Sequence, residues 1–405
     1  MGGCLFVYLI HIIATLILWK YIKTDKDVKN KKNEIVLGKT FWIYFIFVCL
    51  FLLPYIFETI RRAEIFGDSA FFWFVKGWIF YNVQDIYGFL YLFEPSYPLL
   101  IPLIYNFFIQ MNCGLGIAGY TALLFFGAIL LTLIEGWIKT GKYSIILGIP
   151  ICVFLPIFFR HHISESYADI PLSFVYYIAL LTVADTLFKK RSSYAPMILL
   201  AAIPMIKSNG EYLILLCFIV SLIFIFLEKI DKPVSVLFKL FGLPIGLIVA
   251  DKIIMRLFNI DTFITKVPFN VLKSEIIYTT NPLLSYWNKL LPSIKYFYEL
   301  TTSTPSFSIL LTPLVVLFVY FIFKPKKEGF LLFNIISVIL STVCIIYVMI
   351  EDAWRKWWFD FGYWRMLAVT APAIVGFLYF FINGLLYEFI KKPKCNSLNK
   401  EMFYK

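Results

Sequence analysis

Charged residues and metal-ligating residues are both scarce in this 405-residue chain. Asp, Glu, Lys and Arg make up 15% of it and hydrophobic residues 61%, whereas a soluble domain carries roughly 25% charged residues. There are only three His, and none of the seven Cys lies in a Cys-x-x-Cys motif. These shortages exclude a soluble domain of this length and argue against a zinc or disulfide framework. They predict an all-α polytopic membrane protein.

Eleven apolar runs are predicted to cross the membrane. They are Cys4–Trp19, Phe41–Phe57, Ile117–Trp137, Tyr143–Phe159, Pro171–Phe188, Tyr194–Ile206, Tyr212–Leu227, Pro233–Ala250, Phe307–Phe323, Phe330–Ile350 and Met366–Ile390. The run Leu99–Met111 is different, because its 13 residues are too few for a hydrocarbon core about 30 Å thick. We expect it to form an interfacial or re-entrant helix that follows Pro98.

The net charge of +12 is explained by membrane topology. Lys and Arg collect in cytoplasmic loops, and with eleven crossings Lys20–Lys39 and Lys189–Arg191 both face the cytosol. The N-terminus is then outside and the C-terminus cytoplasmic. Residues 1–39 are predicted to form an additional helix with a basic cytoplasmic loop, 40–390 the main transmembrane domain, and 391–405 a short basic cytoplasmic tail. The charge therefore indicates no nucleic-acid partner.

The first outer loop has an acidic residue ahead of an aromatic helical stretch. Asp68 follows a Gly and opens a stretch that contains Trp73 and Lys76. One interpretation of Asp68 is a helix N-cap, because its carboxylate accepts backbone N–H hydrogen bonds. The other is a catalytic acid at the membrane surface. Lys76 is expected either to face a lipid phosphate or to extend its ammonium to the interface without a function.

The second outer loop concentrates ionisable residues between two spans. Arg160, His161, His162, Glu165 and Asp169 fall within ten residues. Asp169 comes just before an apolar span, and acids at such boundaries often mark functional sites, although an ordinary polar span end has a similar composition. The two adjacent His diverge by about 100° on a helix, so they favour no shared zinc ion.

Two more polar positions lie at predicted outer span ends. One is the segment Lys207-Ser-Asn-Gly-Glu211, and the other is Arg365, which begins the last span after a Trp-rich segment. A guanidinium and the helix dipole both favour a phosphate at the N-terminal end of a helix. The polar residues therefore predict chemistry that faces outward.

Four short motifs together resemble those of the GT-C superfamily of integral-membrane glycosyltransferases. The likeness is greatest to bacterial members related to protein O-mannosyltransferases and to the lipid A aminoarabinose transferase. The motifs are Gly67-Asp68 through Lys76 with Pro95-Ser-Tyr97-Pro98, then Tyr167-Ala-Asp169-Ile-Pro171, Lys207-Ser-Asn-Gly-Glu211, and Arg365-Met-Leu with Pro372. The resemblance runs from about Phe41 to Ile390. It implies a GT-C-like catalytic domain with juxtamembrane helices in the first outer loop.

The resemblance implies a polyprenyl-phosphate-linked sugar donor and transfer with inversion on the outer face. Asp68 would act as general base on an acceptor hydroxyl, a role that typically contributes ~10²–10⁴-fold to the rate. Arg365, with Arg160 or Lys76, would stabilise the charge that develops on the departing phosphate. Asp169 would orient the acceptor.

The same resemblance implies substrate contacts and a set of partners. The substrate-binding residues it implies are Trp73, Tyr97, Tyr167, Lys207 and Glu211. The acceptor is expected to be a lipid-linked molecule, a glycan or a protein, and membrane lipids surround the enzyme. No cofactor is predicted, and the alternative is a Mg²⁺ or Mn²⁺ ion held by Asp68 and Asp169, because hard cations prefer oxygen ligands.

The chain departs from the family pattern at three points. Ser69 replaces the second acid of an Asp-Glu pair, which counts against a protein acceptor. No soluble outer domain is predicted after the last span, and Cys4–Trp19 is expected to precede the shared core. We expect a bacterial plasma-membrane protein, with the endoplasmic reticulum as the alternative.

Two other functions remain open from the sequence. One is a polysaccharide polymerase or ligase that uses lipid-diphosphate glycans, for which Lys252–Ser306 supplies a large outer loop. The other is a flippase or transporter of lipid-linked sugars, which favours charges within spans and helices broken by Gly or Pro. Lys239 is the charge that the predicted spans place in mid-membrane.

Overall fold

A computed structural model describes the backbone of residues 73–83, 97–111, 168–188, 194–208, 210–258 and 329–352, together with ten isolated positions between 42 and 373. All regular elements in these ranges are α-helices. They are α1 (Val75–Val83), α2 (Leu100–Gln110), α3 (Asp169–Phe188), α4 (Ala195–Ile206), α5 (Gly210–Leu227), α6 (Pro233–Leu257) and α7 (Gly329–Asp352).

Three of these helices are long and apolar enough to cross a membrane. They are α3, α5 and α6, with 20, 18 and 25 residues, which is about 27–38 Å at 1.5 Å per residue. The all-helical membrane class predicted from composition is confirmed for the described part of the chain. The predicted spans Cys4–Trp19, Phe41–Phe57, Ile117–Trp137, Tyr143–Phe159, Phe307–Phe323 and Met366–Ile390 lie wholly or mostly outside the described residues.

The apolar runs predicted the helix ends to within a few residues, with one exception. Helix α6 continues to Leu257, seven residues past the predicted end at Ala250. Lys252 therefore lies in the last two turns of α6 and not at the start of a loop, while its place on the outer side stays a prediction. Charged residues usually end an apolar run, but here Lys252 is paired with a neighbouring helix and the backbone stays helical.

The chain forms two compact units, and α1 and α2 belong to the first, which comprises Met1–Gly127 and His161–Ala168. Helix α2 has 11 residues, about 16 Å in length, and is too short to span a membrane, in agreement with the prediction for Leu99–Met111. Gly77 brings α1 against α2, because a Cβ there would lie 2.8 Å from the carbonyl oxygen of Pro102.

Helices α3 to α7 belong to the second unit, which comprises Ala128–Arg160 and Asp169–Lys405. Helix α3 is its centre and packs against α4, α5 and α7. Its side chains are almost all buried from Asp169 to Leu187, whereas α6 exposes most of its apolar side chains. In a membrane this difference makes α3 a core helix and α6 a lipid-facing one.

Several pairs of packed helices in the second unit run antiparallel. Phe188 at the end of α3 contacts Phe333 near the start of α7, and Tyr176 contacts Ser341 further along. The two helices therefore run in opposite directions. Helices α5 and α6 are also antiparallel. The rings of Phe218 and Phe241 lie 5.2 Å apart, and Glu211 near the start of α5 pairs with Lys252 near the end of α6. The start of α3, the end of α4, the start of α5 and the end of α6 therefore lie at one end of this unit.

A tight turn at that end joins α4 to α5. The Gly210 N–H donates to the carbonyl of Lys207 at 2.8 Å. A Cβ at Gly210 would lie 2.4 Å from the carbonyl oxygen of Ile203. The two helices can approach this closely only because residue 210 has no side chain.

We expect Gly210→Ala to destabilise the protein by about 1–3 kcal/mol, because the added methyl group must displace the α4 backbone. Gly246→Ala is the matched control on α6, since its Cβ would meet nothing within 4 Å. That change should be neutral or stabilising, because Ala is favoured over Gly in helices. Thermal unfolding of both variants in detergent checks this, and equal melting temperatures would contradict it.

Candidate functional site

Two residues from separate sequence motifs meet in the second unit. Lys207 Nζ donates to Asp169 Oδ1 at 2.5 Å, across 38 positions of sequence. Asp169 is 2% exposed and Lys207 8% exposed, so the pair is shielded from solvent. A buried ion pair of this kind is strong electrostatically and costly to break from one side.

The helix ends explain how the two charges come together. Asp169 is the first residue of α3, where the helix dipole favours a negative charge. Lys207 follows the last residue of α4 and has an extended backbone, with φ −152° and ψ 143°. The pair therefore joins the beginning of one helix to the end of the next.

A second ion pair lies at the same end of this unit. Lys252 Nζ contacts Glu211 Oε1 at 2.6 Å and Asp251 Oδ2 at 3.8 Å. The side chain of Lys252 is 31% exposed, so this group is more accessible than the first pair. Asp169, Lys207, Glu211 and Lys252 are called the charged end below.

In the first unit, Lys76 is fully buried among aromatic rings. Its ammonium lies 5.5 Å from the centre of the Tyr97 ring, within the range of a cation–π interaction. Trp73 meets the same ring edge to face, with 5.9 Å between ring centres. Lys76 is 0% exposed, so its ammonium is enclosed by the protein.

Further aromatic contacts fix the position of α1 on α2. Phe74 packs edge to face on Tyr105 at 5.8 Å, and Tyr105 contacts Tyr120 at 6.3 Å. Such pairs contribute about 0.5–1.5 kcal/mol each beyond simple burial. Lys76, Trp73 and Tyr97 therefore sit in a well-packed region rather than in a surface loop.

Several predicted site residues lie outside the described part of the chain. They are the predicted base Asp68, the predicted phosphate-binding residues Arg160 and Arg365, and Tyr167. The roles assigned to them stay predictions. Of the predicted residues that are described, Asp169 contacts Lys207, whereas Glu211 contacts Lys252.

The described residues contain no cluster of three or more His, Cys, Asp or Glu side chains that could hold a metal ion. Asp169, one of the two ligands suggested for a divalent cation, has an ammonium group at one of its oxygens. A positive neighbour at 2.5 Å disfavours a second cation there. Asp68, the other ligand suggested for the cation, lies outside the described residues, so the metal alternative stays a prediction.

The structure adds two charged residues, Lys252 and Asp185, to those that the sequence motifs identify. The sequence places Lys252 in a loop, and its ion pair with Glu211 depends on the packing of α5 against α6. Asp185 lies within the predicted span Pro171–Phe188, and the sequence analysis did not single it out. In the structure it is buried inside α3, and its position four residues before a basic cluster was the one signal available.

We expect Lys207→Met to lower the free energy of unfolding by about 3–5 kcal/mol, because it leaves the Asp169 carboxylate buried without its ammonium partner. Lys252→Met is the matched control, since its ion pair with Glu211 is more exposed, with side chains 31% and 17% accessible, and exposed pairs contribute about 1 kcal/mol or less. SDS titration of both variants, followed by circular dichroism, measures the difference.

The double variant Asp169→Asn, Lys207→Gln should recover most of the stability lost in Lys207→Met, because it buries no charge. A loss in Lys207→Met no larger than in Lys252→Met would show that Asp169 is not desolvated as described.

Comparison with known proteins identifies no relative of this chain. No family model, curated protein or solved structure matches the chain. The functional assignment therefore depends on the chemistry of the residues themselves.

Proposed function

We propose that the protein is a GT-C-type glycosyltransferase that moves a sugar from a polyprenyl phosphate to an acceptor hydroxyl. The observation that carries the proposal is the contact between Asp169 and Lys207. Two motifs that resemble those of the family, 38 positions apart, supply the two partners of one buried ion pair. A shared location is what a common site requires, and it was not implied by either motif alone.

The ion pair gives Asp169 a particular chemical role. One oxygen of the Asp169 carboxylate already accepts a hydrogen bond from the Lys207 ammonium, so Asp169 is placed to orient an acceptor rather than to take its proton. The proton would instead go to Asp68, the proposed general base. Lys207 would carry a second function, as a cation that a sugar hydroxyl or phosphate oxygen can share with Asp169.

The charged end is the proposed outward-facing end of the second unit. With eleven spans and the N-terminus outside, the ends of α3, α4, α5 and α6 that meet there all fall on the extracytoplasmic side. This agrees with their antiparallel order in the structure. The donor phosphate would then be held at the level of the lipid headgroups, with Arg365 and Arg160 as the proposed phosphate ligands.

The proposal predicts loss of transfer without loss of fold in two variants. Asp68→Asn should lower the rate of sugar transfer at least about 10²-fold, because it removes the proposed base. Asp169→Asn, Lys207→Gln should also lose transfer while it keeps the helix packing. Sugar transfer is measured with the full-length protein in lipid nanodiscs. The protein is supplied with a panel of polyprenyl-phosphate sugars as donors and with lipid acceptors.

Melting temperature and circular dichroism of each variant serve as the control for folding. Transfer at the wild-type rate by a folded Asp68→Asn protein would refute the assignment of Asp68 as the base. Transfer at the wild-type rate by the folded double variant would show that the Asp169–Lys207 pair has only a structural role.

A buried acid favours a second candidate function, a flippase of lipid-linked sugars. Asp185 lies inside the membrane-spanning helix α3 and is 7% exposed. It is sixteen positions from Asp169, about 24 Å along the helix. Ionisable residues within spans often line transport paths, and α4 and α6 each contain an internal proline, Pro204 and Pro244.

The two functions differ in their need for an acceptor. In proteoliposomes, we expect wild-type protein to consume a polyprenyl-phosphate sugar only when an acceptor is present, and to leave its distribution between leaflets unchanged. Movement of the donor across the bilayer without an acceptor, abolished by Asp185→Asn, would instead establish the flippase.

A further inference from the structure

Helix α7 carries a stripe of buried polar side chains on the face that it turns to α3. Asn334, Ser337 and Ser341 follow one another at three and four positions, so they lie on one side of the helix, and each is 0% exposed. Ser341 Oγ donates to the Ser337 carbonyl at 2.6 Å and is hydrogen-bonded to the Tyr176 hydroxyl of α3. One end of the stripe is therefore paired across the helix interface.

The other two residues of the stripe keep oxygen atoms that no group in the described part of the chain satisfies. Asn334 Nδ2 donates to the Phe330 carbonyl at 2.7 Å. Asn334 Oδ1 accepts no hydrogen bond there, and Ser337 Oγ makes none. Buried polar groups are nearly always paired, either with protein or with ordered water. Two such atoms about one turn apart on one helix face are close enough to share a single hydrogen-bonding partner.

Helix α5 places a third hydroxyl at the same level. The rings of Phe224 and Phe333 lie 5.6 Å apart, and α5 runs opposite to α7 because it begins, like α3, at the charged end. Ser221 precedes Phe224 by three positions and Ser337 follows Phe333 by four, so both lie about one turn from the ring contact in the same direction. Ser221 is 0% exposed, and its polar neighbour is the Cys217 thiol, a weak hydrogen-bonding group.

The surroundings of these oxygens favour water as their partner. Phe188, Phe224 and Phe333 pack edge to face where α3, α5 and α7 meet, with ring centres 5.6–6.3 Å apart. The three oxygens are neutral and cannot offset the cost of burying a cation. The Asp185 carboxylate lies nine positions after Tyr176, half a turn around α3 from it. Water both donates and accepts, and a buried water typically makes about three hydrogen bonds.

We propose that an ordered water molecule is bound where α3, α5 and α7 meet, held by Asn334 Oδ1, Ser337 Oγ and Ser221 Oγ. The water donates to the Asn334 oxygen and exchanges hydrogen bonds with the two hydroxyls. The stripe then carries polar contacts about 10 Å along α7, from Ser341 to Asn334. The site is required by neither sugar transfer nor movement of a lipid-linked donor, so it stands or falls separately from them.

X-ray hydroxyl-radical footprinting of the full-length protein in nanodiscs tests the site, because radicals formed from a bound water oxidise the side chains beside it. Phe333 adjoins Asn334 and should be oxidised although it is 0% exposed. Phe241 of α6 is the matched control, since it is 1% exposed and packs on the ring of Phe218. It should stay unmodified. Oxidation of Phe333 no faster than that of Phe241 would overturn the proposal.

Variants of α7 locate the water. Ser337→Ala and Asn334→Leu each remove a proposed oxygen, and together they should abolish the oxidation of Phe333. Thr342→Val is the matched control on the same helix, because Thr342 Oγ1 already donates to the Val338 carbonyl at 2.9 Å. It should leave the oxidation of Phe333 as in the wild type. Unchanged oxidation of Phe333 in the folded double variant would refute the assignment of the ligands.

Thermal unfolding decides between a hydrated site and a dry one. Unpaired buried oxygens destabilise a protein, so the double variant would melt at a higher temperature than wild type if the site were dry, and that result would contradict the proposal. With water bound, we expect the same or a lower melting temperature, because hydrogen bonds to the water are lost. A wild-type melting temperature that depends on Na⁺ at constant ionic strength would show a bound cation and overturn the proposal.

Ser337→Ala alone keeps the test decisive when the double variant does not fold. It removes a single hydroxyl oxygen and leaves the Ser337 carbonyl in place for Ser341. We expect this variant to slow the oxidation of Phe333. Oxidation at the wild-type rate would show that the Ser337 hydroxyl binds no water.

Discussion

The second unit depends on a constraint that lipid imposes, namely that buried charges must be paired within the protein. Asp169 and Lys207 are each a few per cent exposed and lie 2.5 Å apart. Either charge alone would cost several kcal/mol in such surroundings. Their pairing fixes the end of α4 at the beginning of α3, and the tight turn at Gly210 then determines where α5 begins.

Burial divides the charged residues of the structure into two kinds. Lys76 and the Asp169–Lys207 pair are enclosed by aromatic rings or helix ends, and they hold a fixed geometry. Lys252 and Arg256 lie on α6, where Lys252 is partly exposed and Arg256 is exposed.

Apolar burial and polar chemistry are combined along α3. Its middle is packed on α4, α5 and α7, with Tyr176 hydrogen-bonded to Ser341 across the interface with α7. Asp169 stands at one end of this helix and Asp185 near the other. The same core helix therefore carries the observation that favours a transferase and the observation that favours a flippase.

The sequence by itself determined the membrane class, most helix ends and the short helix α2, because these follow from the length and periodicity of local apolar runs. It also singled out Asp169, Lys207, Glu211 and Lys76 as polar residues in unusual places. Only the tertiary structure decided their partners. Ion pairs such as Asp169–Lys207 and Glu211–Lys252 join residues about 40 positions apart, and which charges meet depends on how the helices pack, a property that no local pattern contains.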